Sequence, residues 1–276
     1  MPGAPLQLNA DWDGFGEKGR PVLVLLHGFS TRRESWEIVR DGLREIGPTL
    51  AVDLIGHGRS PAPPEPEPYR MEACLDQLEA LLEALGIGAA WWVGYSMGGR
   101  VALQVAAHKP DLVEGLVIES ATAGIEEPAL RHDRALADEA LAETILAEGV
   151  EAFVTKWLAQ PLFEGFRKLP PEQQSLQREL RSGSSAKALA NSLRGMGTGT
   201  MTPVWSHLDG SKIPALILAG ENDPKFVEIA GALSTTFSEC TLEIIPGAGH
   251  TTHVESPSQY LSAVSRFFQI KRPRPF

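Results

Sequence analysis

A serine lies between two glycines at residues 94–98, where the sequence reads Gly-Tyr-Ser-Met-Gly. The apolar run at residues 90–93 predicts a strand before it, and the pattern at residues 99–109 predicts a helix after it. A sharp strand-to-helix turn strains the serine backbone, and the flanking glycines remove Cβ atoms that would clash. The hydroxyl of Ser96 would then project at a helix N-terminus, where free N–H groups favour a developing oxyanion. We therefore predict that Ser96 occupies a nucleophile elbow.

A serine hydroxyl is a weak nucleophile and base at neutral pH, so Ser96 needs a histidine, and that histidine needs an orienting acid. Residues 216–219 predict a buried strand that ends shortly before Asp223, and residues 242–245 predict a strand that leads to His250. The chain order serine, aspartate, histidine is that of the α/β-hydrolase fold. We predict Asp223 as the orienting acid and His250 as the general base. The nearby alternatives are Glu221 and His253.

An oxyanion hole in such a site needs two N–H donors. One would come from Met97, directly after the serine. The other would come from the loop after an earlier strand, which residues 22–26 predict. That strand runs into a His-Gly-Phe-Ser loop, so we predict the N–H of Phe29 as the second donor. We interpret His27, and His57 in a later glycine-rich loop, as structural hydrogen-bonding residues.

Length and composition fit one enzyme-sized domain. The chain has 276 residues, 43% of them hydrophobic, and single α/β domains commonly reach about 250 residues. Cys74 and Cys240 give neither a disulfide framework nor metal-ligand spacing, so we predict two buried thiols and no metal. The formal charge of −10 argues against nucleic acid or an anionic membrane as partner. The first 20 residues lack a signal-peptide pattern and no run approaches a membrane span, so we expect a cytoplasmic protein.

Alternating strand and helix patterns predict an α/β fold with a mostly parallel central sheet flanked by helices. Only 21 residues precede the first predicted strand, which leaves little room for the two extra N-terminal strands of many such folds. Residues 123–206 break the alternation with helical patterns alone. Because the predicted acid and base follow this segment, the chain must return to the same sheet. We predict a core of residues 1–122 and 207–276 and a helical lid at 123–206; a separate helical domain is the alternative.

Several cationic residues fall near the predicted chemistry. Arg100 lies four residues after Ser96, so helix geometry places it on the same face, near the pocket mouth. The other candidates are Arg131 and Arg181 in the predicted lid and Lys225 just after the predicted acid. A basic pocket in an acidic protein would select a small molecule that carries carboxylates.

Over nearly its whole length the chain resembles one family, the 2-succinyl-6-hydroxy-2,4-cyclohexadiene-1-carboxylate synthases of menaquinone biosynthesis. The segments that carry the resemblance are residues 27–29, 94–100, 157–163, 181–182, 220–226 and 249–250. The elbow and the triad are common to all hydrolase relatives and discriminate little. The specific part of the resemblance lies in Arg100, residues 157–163, Arg181 and Lys225. Residues 119–124 also resemble the family's post-strand turn, to which we assign no chemistry.

The resemblance implies a lyase reaction without an acyl-enzyme. The histidine-activated alkoxide of Ser96 would abstract a proton from a cyclohexene carboxylate, after which pyruvate is eliminated and a conjugated diene forms. His250 and Asp223 would activate the serine. The N–H groups of Met97 and Phe29 would stabilise charge that develops on a carboxylate or an enolate.

The resemblance also implies the substrate-binding residues. Cations that would pair with substrate carboxylates are Arg100, Arg181 and Lys225, and the residues that would shape the pocket are Tyr95 and Trp157. A further lid arginine of the family aligns loosely here, with Arg131 as our choice and Arg134 as the alternative. No metal or organic cofactor is implied, and nothing is predicted about the oligomeric state. The alternatives are a carboxylesterase or carbon–carbon bond hydrolase and, against the intact triad, a non-catalytic ligand receptor on the same scaffold.

Overall fold

The central sheet of the computed structural model is mostly parallel. The structure describes residues 6–13 and 19–271. Parts of the first 20 residues, in which no signal-peptide pattern is predicted, therefore lie outside the described residues. Within those ranges seven strands pair in the order β1-β3-β2-β4-β5-β6-β7. Their bounds are β1 Ala10–Trp12, β2 Leu23–Leu26, β3 Thr49–Val52, β4 Ala90–Tyr95, β5 Val113–Glu119, β6 Ala215–Gly220 and β7 Cys240–Ile245. All neighbouring pairs are parallel except β1 with β3.

Helices cover both faces of this sheet. Their bounds are α1 Glu37–Arg44, α2 Met71–Leu85, α3 Met97–His108, α4 Pro128–Glu148, α5 Val150–Leu158, α6 Pro171–Ser182, α7 Ala186–Met196, α8 Trp205–Leu208, α9 Pro224–Ser234, α10 Thr252–Glu255 and α11 Pro257–Lys271. One face packs against α2, α3 and α9, and the other against α1 and α11. Strands β2, β3, β4 and β6 are buried along their whole length, as expected for parallel strands covered on both faces. The predicted α/β fold class is confirmed.

The two ends of the sheet differ from the sequence-based picture in detail. A short strand, β1, precedes β2 and pairs antiparallel with β3, so within the described residues one extra strand replaces the pair found in many such folds. Cys74 is buried, as predicted, but Cys240 is partly exposed. The prediction of a buried thiol at Cys240 was wrong because β7 is the edge strand and most of its residues remain partly exposed.

Residues 123–206 are helical throughout their regular elements. The segment contains α4 to α7 and 3₁₀ turns at Pro161–Phe163 and Gly165–Lys168, and no strand is assigned within it. It has its own apolar cluster, in which Phe153, Leu158 and Leu189 are buried. Strands β5 and β6 are parallel neighbours, with Leu116 opposite Ala215, so the segment leaves and re-enters the sheet at adjacent strands. Among the helices of residues 6–13 and 19–271, none combines the length and the apolar composition that a membrane span requires.

Candidate active site

Ser96 lies in a strained turn between β4 and α3. Its φ is +51°, in the left-handed region that non-glycine residues rarely adopt. A Cβ on Gly94 or Gly98 would overlap neighbouring backbone, so only glycine fits at these two positions, each two residues from the serine. The N–H of Ser96 donates to the carbonyl of Glu119 at the end of the adjacent strand, at 2.9 Å. The backbone of the turn is therefore fixed from both sides, and the serine side chain is presented at the carboxyl edge of the sheet.

The three residues predicted as a triad lie within hydrogen-bond distance of one another. Nε2 of His250 is 3.2 Å from Oγ of Ser96, and Nδ1 of His250 is 2.7 Å from Oδ2 of Asp223. The other carboxylate oxygen of Asp223 caps α9 by accepting the N–H of Phe226. His250 and Asp223 are both buried. A carboxylate on Nδ1 holds the proton there, which leaves Nε2 free to accept the serine proton.

The two alternative residues make other contacts. Glu221 is exposed and accepts a backbone N–H in the loop after β7. His253 is buried, its ring stacks on Trp36, and its Nδ1 is 2.7 Å from Oε2 of Glu119. Neither contacts Ser96, so the geometry favours Asp223 and His250 over both.

The two predicted oxyanion donors flank the serine. Met97 is the first residue of α3, and Phe29 follows β2 and lines the cavity described below. No hydrogen bond within residues 6–13 and 19–271 occupies either N–H. Gly28 allows this approach, because a Cβ there would meet the ring of Tyr95 at 2.5 Å. Both groups are available to an oxyanion, and their role stays a prediction.

The histidines interpreted as structural are buried behind this loop. Nδ1–H of His27 donates to the carbonyl of Gly28 at 2.8 Å, and its Nε2 accepts the N–H of Leu54 at 3.0 Å. Nδ1–H of His57 donates to the carbonyl of Ile55 at 3.0 Å. Burial lowers the pKa of His57 to about 3 and also lowers that of His27. Both rings are therefore neutral at physiological pH.

A cavity of about 520 Å³ lies between the sheet edge and residues 123–206. Ser96 and His250 line it from the sheet side, together with Tyr95. The predicted residues Arg100, Trp157, Arg181 and Lys225 line it as well. The hydroxyl of Tyr95 is within 2.9 Å of Oγ1 of Thr251, so its contribution to the cavity wall is mainly the ring. The structure thus brings five of the six predicted substrate-binding residues to one cavity.

Arg131 is the sixth predicted residue, and it lies elsewhere. Its Nη1 donates to the carbonyls of Ile125 at 2.8 Å and Glu126 at 3.1 Å, where it tethers the start of α4. Arg134, the alternative, lines the cavity, and its Nε donates to Oδ1 of Asp138 at 2.8 Å. Side chains three residues apart lie on the same side of a helix, so helix geometry alone does not separate the two arginines. Their partners do, because Arg131 binds the carbonyls before α4, whereas Arg134 pairs with Asp138, which also lines the cavity. The geometry therefore favours Arg134, the alternative, over Arg131.

Within residues 6–13 and 19–271, two guanidinium groups of the cavity have no acidic hydrogen-bond partner. Arg100 donates to the carbonyl of Met196, and burial, with Arg134 nearby, lowers its pKa to about 10. Arg181 is 3% exposed, and its Nη1 donates to the carbonyl and Oε1 of Gln177 at 2.9 and 2.6 Å. Nε of Arg181 is buried and has no hydrogen-bond partner among the described residues. Desolvated cations without a carboxylate are unfavourable, so the cavity is suited to an anionic ligand.

Two further cavity residues had no predicted role. Ser120 follows β5 with a φ of +49°, and its buried hydroxyl has no partner within the described residues. Asp138 is buried and pairs with Arg134. An i, i+4 arginine–aspartate pair is visible in the sequence and could have favoured Arg134 over Arg131. The strain at Ser120 has no such signal, because serine is common after strands.

Comparisons with known proteins agree on fold and family. The model of the alpha/beta hydrolase fold family matches residues 21–257. A putative 2-succinyl-6-hydroxy-2,4-cyclohexadiene-1-carboxylate synthase of Bacillus subtilis (strain 168) is 35% identical, over 91% of this chain and 92% of that protein. The synthase of that name from Serratia proteamaculans (strain 568) is 31% identical, over 91% and 94%.

A solved structure gives the same result. The structure of MenH from S. aureus superimposes with a TM-score of 0.90 at 32% identity, covering 95% of this chain and 98% of that one. The resemblance found in the sequence is thereby confirmed. The chain belongs to the 2-succinyl-6-hydroxy-2,4-cyclohexadiene-1-carboxylate synthase family, on the α/β-hydrolase fold.

Proposed function

We propose that this chain is a carbon–oxygen lyase of menaquinone biosynthesis. Its reaction eliminates pyruvate from 2-succinyl-5-enolpyruvyl-6-hydroxy-3-cyclohexene-1-carboxylate and leaves 2-succinyl-6-hydroxy-2,4-cyclohexadiene-1-carboxylate. The family membership supports the reaction. One observation carries the proposal. Arg100 and Arg181 lie in the cavity that contains Ser96, and neither guanidinium pairs with a carboxylate of the described residues. A substrate with three carboxylates supplies the missing negative charge.

The first chemical step removes the proton at C2 of the ring. This proton is the most acidic because C2 is bonded both to the ketone of the succinyl group and to the C3–C4 double bond, so the resulting anion is delocalised over both. His250 takes the hydroxyl proton of Ser96 through Nε2, and the resulting alkoxide takes the proton from C2. Asp223 holds the Nδ1 proton and stabilises the imidazolium that forms. Negative charge then develops on the succinyl ketone oxygen, where the N–H groups of Met97 and Phe29 would stabilise it.

The second step breaks the bond between C5 and the enolpyruvyl oxygen. The electrons of the enolate form a C2–C3 double bond, the C3–C4 double bond moves to C4–C5, and the oxygen leaves with its bonding pair. The imidazolium of His250 returns a proton to that oxygen, and the enol becomes pyruvate. Every proton is accounted for, and Ser96 is regenerated as a hydroxyl without an acyl-enzyme.

The cations have separate positions in this scheme. Arg100 and Arg134 come from α3 and α4 and are close enough for Arg134 to lower the pKa of Arg100. Arg181 comes from α6, and Lys225 follows the predicted acid. Several cations around one cavity can bind several carboxylates at once and orient the ring over Ser96. We also propose residues 123–206 as a lid on a core of residues 1–122 and 207–276, because side chains from both parts line the cavity. The cytoplasmic location stays a prediction.

The experiment that tests this function compares two substrates in the wild type and in Arg100→Ala. We expect the wild type to release pyruvate from the tricarboxylate. Losing a charge-assisted contact of roughly 1.5–3 kcal/mol should lower kcat/KM for it by roughly ten- to a hundredfold in Arg100→Ala. A neutral ester of similar size, if it is cleaved at all, should show no such loss. A wild type that cleaves neutral esters briskly and makes no pyruvate would establish the hydrolase alternative instead.

A further inference from the structure

Glu255 holds the two residues on either side of His250. Its Oε2 accepts the N–H of Gly249 at 2.6 Å, and its Oε1 accepts the N–H of Thr251 at 3.0 Å. Both carboxylate oxygens are thus used on the backbone that carries the predicted base. Charge-assisted hydrogen bonds of this kind are stronger than neutral ones, so they restrict the position of the His250 Cα.

Glu119 holds the same segment from the other side. It is fully buried at the end of β5, and its Oε1 accepts the hydroxyl of Thr252 at 2.8 Å and the N–H of His253 at 3.1 Å. Its Oε2 faces Nδ1 of His253 at 2.7 Å. The backbone carbonyl of the same residue accepts the N–H of Ser96. One residue therefore connects the turn that carries the serine to the segment that carries the histidine.

A turn within residues 123–206 packs against the carboxylate of Glu255. A Cβ on Gly165 would overlap Oε2 of Glu255, so the backbone of the Gly165–Lys168 turn lies directly against the carboxylate. Burial there raises the pKa of Glu255. A hydrogen bond shielded from water is electrostatically stronger, so this contact reinforces the hold on Gly249 and Thr251.

We propose that Glu119 and Glu255 are positioning residues that keep Nε2 of His250 within hydrogen-bond distance of Ser96. Neither residue lines the cavity, so neither touches substrate, and both act through His250. The distance between base and serine depends on two segments that are far apart in the chain. A displacement of about 1 Å between reacting groups can reduce the rate about a hundredfold. The two carboxylates supply this restraint, because they accept the N–H groups of Gly249, Thr251 and His253 around His250.

The test is the pair of variants Glu119→Gln and Glu255→Gln, which keep size but weaken the acceptors. We expect kcat to fall roughly ten- to a hundredfold with KM nearly unchanged, because only the position of the base changes. Asp13→Asn is the matched control. Asp13 accepts the N–H and the hydroxyl of Thr49 at 2.7 and 2.6 Å, at the opposite end of the strands. The control should lose a similar amount of thermal stability and keep its kcat.

A second arm separates positioning from general weakening of the fold. In a His250→Ala background, Glu119→Gln should cause no further loss, because its effect passes through the absent imidazole. The proposal would be overturned if Glu119→Gln lowered the residual activity of His250→Ala further. It would also be overturned if the two glutamate variants kept the kcat of Asp13→Asn, or if only their KM changed. Glu255 is less buried than Glu119, so Glu255→Gln carries the test if the Glu119 variant does not fold.

The proposal rests on the proposed function only for its turnover assay. The rate at which a fluorophosphonate modifies Ser96 also depends on His250 and requires no pathway intermediate. We expect Glu119→Gln and Glu255→Gln to slow this modification by the same factor as kcat. If the wild type is modified rapidly but releases no pyruvate, the lyase function is refuted. The labelling rates of the two variants then still test the positioning claim. Unchanged labelling rates in both variants would refute the positioning claim alone.

Discussion

Nε2 of His250 lies 3.2 Å from Oγ of Ser96, although 154 residues separate them in the chain. At this distance the two side chains can act as one proton-transfer unit. We predict that Ser96→Ala and His250→Ala each lower kcat by about three to six orders of magnitude, and that the double variant loses little more. Steady-state rates with circular dichroism as a folding check would measure this. If the two large losses multiplied in the double variant, Ser96 and His250 would not act as one proton-transfer unit.

Asp223 should act through the tautomer of His250. In Asp223→Asn the amide would donate to Nδ1, so the ring proton moves to Nε2 and the serine proton has no acceptor. We expect kcat at neutral pH to fall by about 10⁴-fold with the fold intact. Glu221→Gln is the control, since Glu221 is exposed and accepts the N–H of Gly247 in the loop after β7. If the Glu221 variant lost more activity than the Asp223 variant, the assignment of the acid would be wrong.

Arg134 and Arg131 form a natural matched pair for the substrate-binding claim. Both are arginines on α4, but only Arg134 lines the cavity. We expect Arg134→Ala to lower kcat/KM by roughly ten- to a hundredfold, because a carboxylate contact is lost and Asp138 is left unpaired beside the substrate. Arg131→Ala should change kcat/KM by less than about twofold. Equal losses in the two variants would show that position in the cavity does not matter.

The neutral ring of His57 predicts how stability depends on pH. Burial lowers its pKa to about 3, whereas an unfolded histidine titrates near 6.5. Between these values the unfolded chain binds the proton and the folded chain does not, so stability falls as the pH drops from about 6.5 toward 3. The contribution of this one group has a slope of at most about 1.4 kcal/mol per pH unit.

His57→Asn should reduce that slope while an amide N–H replaces the bond to the carbonyl of Ile55. Urea unfolding at pH 7 and pH 5 measures the free energy of unfolding of both proteins. All other titratable groups are present in both proteins, so the comparison isolates the replacement of His57. If the free energy of unfolding changed by the same amount between pH 7 and pH 5 in wild type and variant, His57 would not be neutral and buried in the folded protein.

The sequence predicted the sheet, the all-helical stretch at residues 123–206 and the three residues that meet at Ser96, because a local pattern or a known chain order marks each of them. The role of residues 123–206 as a lid stays a prediction. Hydrophobic runs define β4 and β6, and a serine between glycines requires the turn that positions Ser96. The resemblance alone did not separate Arg131 from Arg134, although the i, i+4 pair of Arg134 with Asp138 is a local signal that favours Arg134. Exposure of Cys240 likewise depends on β7 being the sheet edge. Glu119 was missed because no motif marks its contacts with Thr252 and His253, whereas the chain order of serine, aspartate and histidine marks the triad.

The most direct test of the account measures pyruvate and the conjugated diene in the same reaction mixture. Wild-type protein is incubated with 2-succinyl-5-enolpyruvyl-6-hydroxy-3-cyclohexene-1-carboxylate, with Ser96→Ala as the matched blank. Elimination predicts equal molar amounts of both products from wild type and almost none from the variant. Substrate deuterated at C2 should form both products more slowly if removal of that proton limits the rate. Pyruvate without the diene, or equal rates for wild type and Ser96→Ala, would contradict proton abstraction by Ser96 and with it the lyase mechanism.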